Sequence, residues 1–170
     1  RMTPLALAIV AASRPVGALE LSGGIGMGGI LAGTVPRFAV SPHAGVSWRA
    51  ESGFLFDARN LCSVLLTSGK EGVGFYDKTS ATIGYASAKS SFSIGPSLSV
   101  YRMHACGAKY CGTVVGLSPG GQAQASIYFA DPFGISINVN VDWLRGRSLE
   151  LPSNVAAMVL VGPVVRWSSR

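Results

Sequence analysis

The stretch 135–143, ISINVNVDW, alternates at every position. Ile135, Ile137, Val139, Val141 and Trp143 fall on one side, and Ser136, Asn138, Asn140 and Asp142 on the other. A period of two belongs to an extended strand with unlike faces, because successive Cβ atoms point to opposite sides of the pleat. The pattern recurs. In QAQASIYF, Ala123, Ala125, Ile127 and Phe129 oppose Gln122, Gln124, Ser126 and Tyr128. In FSIGPSLSVY, Phe92, Ile94, Leu98 and Val100 oppose Ser93, Gly95, Ser97, Ser99 and Tyr101. The final segment sets Val155, Ala157, Val159, Val161, Val165 and Trp167 against Gly162, Arg166 and Ser168, although Met158 and Leu160 share the second face. Fainter alternation over 19–31, 37–50, 53–66 and about 73–87 brings the strand count to eight. Helix formers with an apolar stripe at helical spacing are missing from these stretches.

The connections are too short for crossover helices, so neighbouring strands run antiparallel. Those around Glu51-Ser52, Lys89-Ser90 and Asp131-Pro132 are short, and those at 67–72, 105–120 and 145–154 are longer. The first, near GTVP, is short as well. Short turns at one end and long loops at the other are the arrangement of a membrane barrel. Pro42, Pro96 and Pro163 fall inside strands, where each removes a ladder donor. A closed barrel has no free edge to receive them, so bulges are expected there, with Gly95 and Gly162 easing two of the bends.

Alternation also fits a soluble barrel with its apolar face inward, and composition separates the two. Charged residues make up 13% of the 170, against a globular average of about 25%. A soluble exterior needs Lys and Glu along its strands, whereas the polar faces here are mostly Ser, Gly, Asn, Gln and Thr. Such side chains suit an enclosed lumen. Glu20, Asp57 and Asp142 are expected to meet Arg49, Arg59 and Arg166 inside it, since buried charge is costly unless paired. Trp48, Phe54, Phe129 and Trp167, with Phe56, Tyr85 and Phe92, fall near the short-turn ends. Phe38, Phe75 and Trp143 fall near the opposite ends, which predicts two interfacial aromatic girdles.

Residues 1–18, RMTPLALAIVAASRPVGA, join a basic start to a short apolar run and a small-residue site at Val16-Gly17-Ala18. They read as a secretory signal peptide preceding one barrel domain over 19–170. The net charge of +6 is scattered, with Arg145 and Arg147 the only close pair, which argues against nucleic acid. Cys106 and Cys111, in HACGAKYCG, are expected to form a disulfide in an oxidising compartment, leaving Cys62 as a small apolar side chain. With two histidines and three cysteines the chain offers no zinc-ligand spacing, and no cofactor motif is present.

With VAAMVLVGPVVRW closing the strand pattern, the sequence resembles the small eight-stranded outer-membrane β-barrels of Gram-negative bacteria, the OmpA/OmpX-like superfamily, over about 19–168. The resemblance implies an all-β, antiparallel, up-and-down transmembrane barrel. It also implies outer-membrane lipid and lipopolysaccharide as surroundings. Trp167 looks like the terminal aromatic read by the barrel-assembly machinery, although three residues follow it. A barrel of eight strands is filled by its own side chains, so a nutrient pore is disfavoured. The function expected is a non-enzymatic structural, surface-contact or adhesion role through the loops, which carry Lys70, Lys109, Arg145 and Arg147 against Glu71 and Glu150. Two alternatives remain open. One is a lipid A-modifying enzyme, for which His43, with Ser41 and Ser47 on the same face, is the histidine placed within a strand. The other is a soluble periplasmic lipocalin-like barrel holding an apolar ligand.

Overall fold

A computed structural model of the chain describes residues 17–32, 35–66, 73–106, 111–144 and 155–168. Eight strands follow in order: β1 (Gly17–Ala32), β2 (Val35–Ala50), β3 (Phe54–Leu66), β4 (Val73–Ala86), β5 (Ser90–Cys106), β6 (Cys111–Ala130), β7 (Phe133–Trp143) and β8 (Val155–Ser168). Each pairs antiparallel with its neighbours, and β8 closes on β1. The expected all-β, eight-stranded up-and-down barrel is therefore the observed one.

The ladder fixes the tilt. Stepping across paired residues from Ala18 through Arg49, Leu55, Gly84, Ser93, Gln124, Asn138 and Leu160 returns to β1 at Gly28, ten residues further along. That stagger corresponds to strands inclined about 40° to the barrel axis.

The two faces divide as the alternation requires. Ile135, Ile137, Val139 and Val141 point outward, while Ser136, Asn138, Asn140 and Asp142 are buried inside. The outer wall carries Leu, Ile, Val and Phe side chains around its circumference. A lipocalin-like protein has the reverse arrangement, with its apolar face enclosed. This exterior is suited to hydrocarbon, and the barrel is of the transmembrane kind.

The interior has two zones. Toward the short turns it is polar. Toward the longer connections Ile30, Leu61, Leu65, Tyr101, Met158 and Leu160 close the lumen in an apolar cluster. Met158 and Leu160 therefore occupy inward positions without breaking the alternation of β8. The glycines of β1 make room for them: Gly26 faces inward, and a Cβ there would stand 3.0 Å from that of Leu160.

Two expectations need correction. The prolines need no bulges. At Pro42 the β2–β3 ladder lapses between Val40↔Val64 and His43↔Leu61, yet the register is the same on both sides, and the β1 ladder runs through unbroken. Pairing lapses likewise beside Pro96 on the β4 side and beside Pro163 on the β1 side, again without a shift. Each proline faces a gap in one of its two ladders, and the other holds the strand in line. The register shift recorded among the described residues lies between Tyr128 and Ala130 instead.

The second correction concerns 105–120, expected as a loop. Its described residues are ladder instead: β5 runs to Cys106 and β6 starts at Cys111. Gly116 is accommodated in a strand because the Tyr101 ring covers it, and a Cβ there would collide with that ring. The turns at the other end are tight. Gly53, at φ 90°, donates to the Ala50 carbonyl at 3.0 Å and lies under Tyr85, where no side chain would fit. In the next turn the Ser87 hydroxyl accepts from the backbone N–H of Lys89 and Ser90 at 3.2 and 3.0 Å.

Candidate functional site

Three features have functional potential: the outer wall, the lumen, and the rim at the longer connections.

On the wall, the ten aromatics expected at the interfaces all lie within three residues of a strand end. Phe38, Phe54, Phe129, Trp143 and Trp167 are exposed, and Trp48 is half-buried against Phe54, edge to face, with ring centroids 6.5 Å apart. Along β4 the outward rings are Phe75 near one end and Tyr85 near the other, ten residues apart. At a rise of ~3.3 Å per residue and the tilt above, that places them about 25 Å apart along the axis. This matches the height of the apolar band of an outer-membrane barrel.

In the lumen, the six charges expected there face inward, with Arg49 at the short-turn rim. Glu20 pairs with Arg49 at 3.1 Å, and Asp57 with Arg59 at 3.3 Å. Arg59 also donates to the Ser22 hydroxyl across the barrel at 3.0 Å. Arg166 takes neither acid. Its Nη2 donates to the Ala88 carbonyl at 3.0 Å, and its guanidinium lies 4.0 Å from the centre of the Tyr128 ring.

Asp142 is held by a residue that sequence reading did not select. Lys78 is fully buried and approaches both carboxylate oxygens, at 2.8 and 3.0 Å. The Ser97 hydroxyl donates to the same carboxylate at 3.3 Å, as does the Tyr76 hydroxyl. Three strands, β4, β5 and β7, are thereby tied together at one buried carboxylate beneath the apolar cluster. Such a pair is costly to assemble, and removing one partner costs more still.

His43 was the candidate base of an enzyme. It is buried inside the barrel, and among the described residues neither ring nitrogen has a hydrogen-bond partner. The Ser41 hydroxyl is engaged with Ser63. A nucleophile, a base and an orienting acid within reach of one another are what acyl transfer requires, and these residues do not assemble them.

At the rim, β5 and β6 outlast their neighbours among the described residues. The final β4–β5 pair is Phe75↔Arg102, and β7 begins to pair with β6 at Asp142↔Gly120. Beyond them β5 and β6 continue as a two-stranded ribbon, through Met103↔Val114 to Cys106↔Cys111. The two cysteines expected to join are thus register partners at the ribbon's end. The loop charges Lys70, Lys109, Arg145, Arg147, Glu71 and Glu150 lie outside the described residues.

No protein-family model and no curated protein sequence matches the chain. Solved structures do. Neisserial surface protein A superposes with a TM-score of 0.58 at 11% identity, over 87% of this chain and 95% of that one. Ail, the attachment invasion locus protein of Yersinia pestis, gives 0.59 at 10% identity, over 89% and 99%. The N-terminal barrel domain of Pseudomonas aeruginosa OprF gives 0.56 at 10% identity, with the same coverage. The chain has the fold of the small eight-stranded outer-membrane barrels. At these identities the likeness speaks for architecture, and it extends over nearly the full length of each neighbour.

Proposed function

We propose that the chain is exported by the signal-like segment 1–18 to the outer membrane of a Gram-negative bacterium, where it serves as a non-enzymatic surface-contact protein. The observation that carries this reading is the β5–β6 ribbon, which among the described residues runs four pairs beyond Phe75↔Arg102, the last pair between β4 and β5. A lumen closed by side chains leaves the rim as the place where such a barrel meets other molecules.

Two of the similar structures are a surface protein and an attachment protein, and one was determined with a heparin analogue, sucrose octasulfate. The basic excess of Lys70, Lys109, Arg145 and Arg147 over Glu71 and Glu150 suits the same kind of anionic group. Sulfate of a polysaccharide and phosphate of lipopolysaccharide would both accept charge-assisted hydrogen bonds from it. In this reading Trp167 serves the barrel-assembly machinery, the short turns face the periplasm, and a Cys106–Cys111 disulfide staples the ribbon.

The test is expression with the leader in a Gram-negative host, followed by fractionation. Recovery in the detergent-extracted outer membrane, with heat-dependent gel migration, is expected. A thiol count on that material should find Cys62 alone reactive. Intact cells should retain heparin, and deletion of 103–114 should reduce retention without changing gel migration. Recovery as a soluble periplasmic protein would sink the proposal, as would heparin binding indifferent to the ribbon.

A further inference from the structure

One region of the outer wall does not suit lipid. On β3 and β4 the outward positions Asn60, Cys62, Asp77 and Thr79 are polar or weakly polar and exposed. Thr79 lies four residues from Phe75 and six from Tyr85 along β4, well inside the apolar band. The Asn60 amide donates to Asp77 Oδ1 at 2.8 Å and to Thr79 Oγ1 at 3.3 Å. Those two bonds spend both amide hydrogens. What stays open is an acceptor on Asn60 Oδ1, an acceptor on Asp77 Oδ2, the Thr79 hydroxyl hydrogen and the weak Cys62 thiol donor. Polar groups facing hydrocarbon are expensive and seek partners.

The open groups form two matched sets. Asn60 and Thr79 are register partners, one offering an acceptor and the other a donor, and Asp77 and Cys62 are register partners with the same complementarity. Two copies inserted in one membrane share an orientation, so their two-fold axis runs along the membrane normal and brings together residues of similar depth. Passed between β3 and β4, that axis sets Thr79 of one copy against Asn60 of the other and Cys62 against Asp77, each twice. An isologous contact requires this kind of self-complementary patch. The flanking outward residues Ala44, Ala58 and Ala81 are small, which lets the two walls approach closely. We infer that the β3–β4 wall is a homodimer interface within the membrane, the occupant being a second copy of this chain.

The full-length protein, with Cys106→Ser and Cys111→Ser, would be reconstituted at high dilution in phosphatidylcholine vesicles and treated with a short bis-maleimide. Cys62 should yield a cross-linked dimer. A Cys62→Ser, Val161→Cys variant, labelled on the opposite wall, should yield none. In sedimentation equilibrium in micelles, Asn60→Leu with Thr79→Val should weaken dimerisation about tenfold. Heat-dependent migration would verify that this variant still forms the barrel. Equal cross-linking from both positions would overturn the inference as random collision. A dimer constant untouched by the double substitution, or a monomer throughout, would overturn it too. Adducts to another barrel protein, or lipopolysaccharide retained at this wall in place of the second copy, would assign the patch to a different occupant.

Discussion

Lys78 meets Asp142 at the centre of the lumen, and its position explains why alternation did not reveal it. The run Tyr76-Asp77-Lys78-Thr79 carries polar groups on both faces, with Asp77 and Thr79 outward and Tyr76 and Lys78 inward. Where both faces are polar, the period of two disappears from hydropathy even though the backbone keeps it. In contrast, Asp142 was legible because Val141 and Trp143 flank it on the opposite face. Replacing Lys78 with Met should leave the Asp142 carboxylate buried without its ammonium and cost about 3–5 kcal/mol. Urea unfolding of the reconstituted barrel would measure this. Adding Asp142→Asn to that variant should recover part of the loss; a single variant as stable as the parent would show that the pair contributes nothing.

Among the elements, β8 shows how far pattern alone reaches. Its outward series Val155, Ala157, Val159 and Val161 was readable, but Met158 and Leu160 looked like exceptions. Composition cannot tell an apolar residue facing lipid from one facing an apolar lumen; only the identity of the opposing side chains decides. The strand therefore offers a paired test at adjacent positions. Leu160→Ala would open a cavity against Gly26 and the apolar cluster and should cost about 2–5 kcal/mol in unfolding. Val159→Ala exposes its shortfall to acyl chains that flow into it, and should cost well under half as much. Equal losses at the two sites would contradict the assignment of faces. The limits of β6 were missed for a related reason. Glycine content reads as loop, yet Gly116 needs its missing side chain because Tyr101 covers it within the ladder. The reach of the ribbon, and with it the strongest support for a surface role, was hidden until strand pairing was known.

For the whole molecule, the strand number, the direction of pairing and the outward apolar face all followed from the sequence, because each depends on local period and turn spacing. The closing cluster did not, because it joins residues from six strands far apart in the chain. It bears directly on permeability. The reconstituted protein should give no stable step conductance in planar bilayers, since Leu65, Tyr101, Met158 and Leu160 are buried together in the cluster that fills that layer. Sustained ohmic steps from homogeneous protein would require the cluster to open.

The seam between β1 and β8 imposes a condition on how the molecule comes into being. Of the eight strands, the first in the chain is bordered on one side by the eighth, so its polar backbone on that side stays unmatched until β8 has been made. The other seven ladders join consecutive strands, so this one alone spans the whole barrel sequence, and pairing at such separation forms slowly. Short of that ladder the barrel is a curved sheet with two unpaired edges. Its most vulnerable interval is therefore the time before closure, when open edges and an apolar outer wall have only water to face.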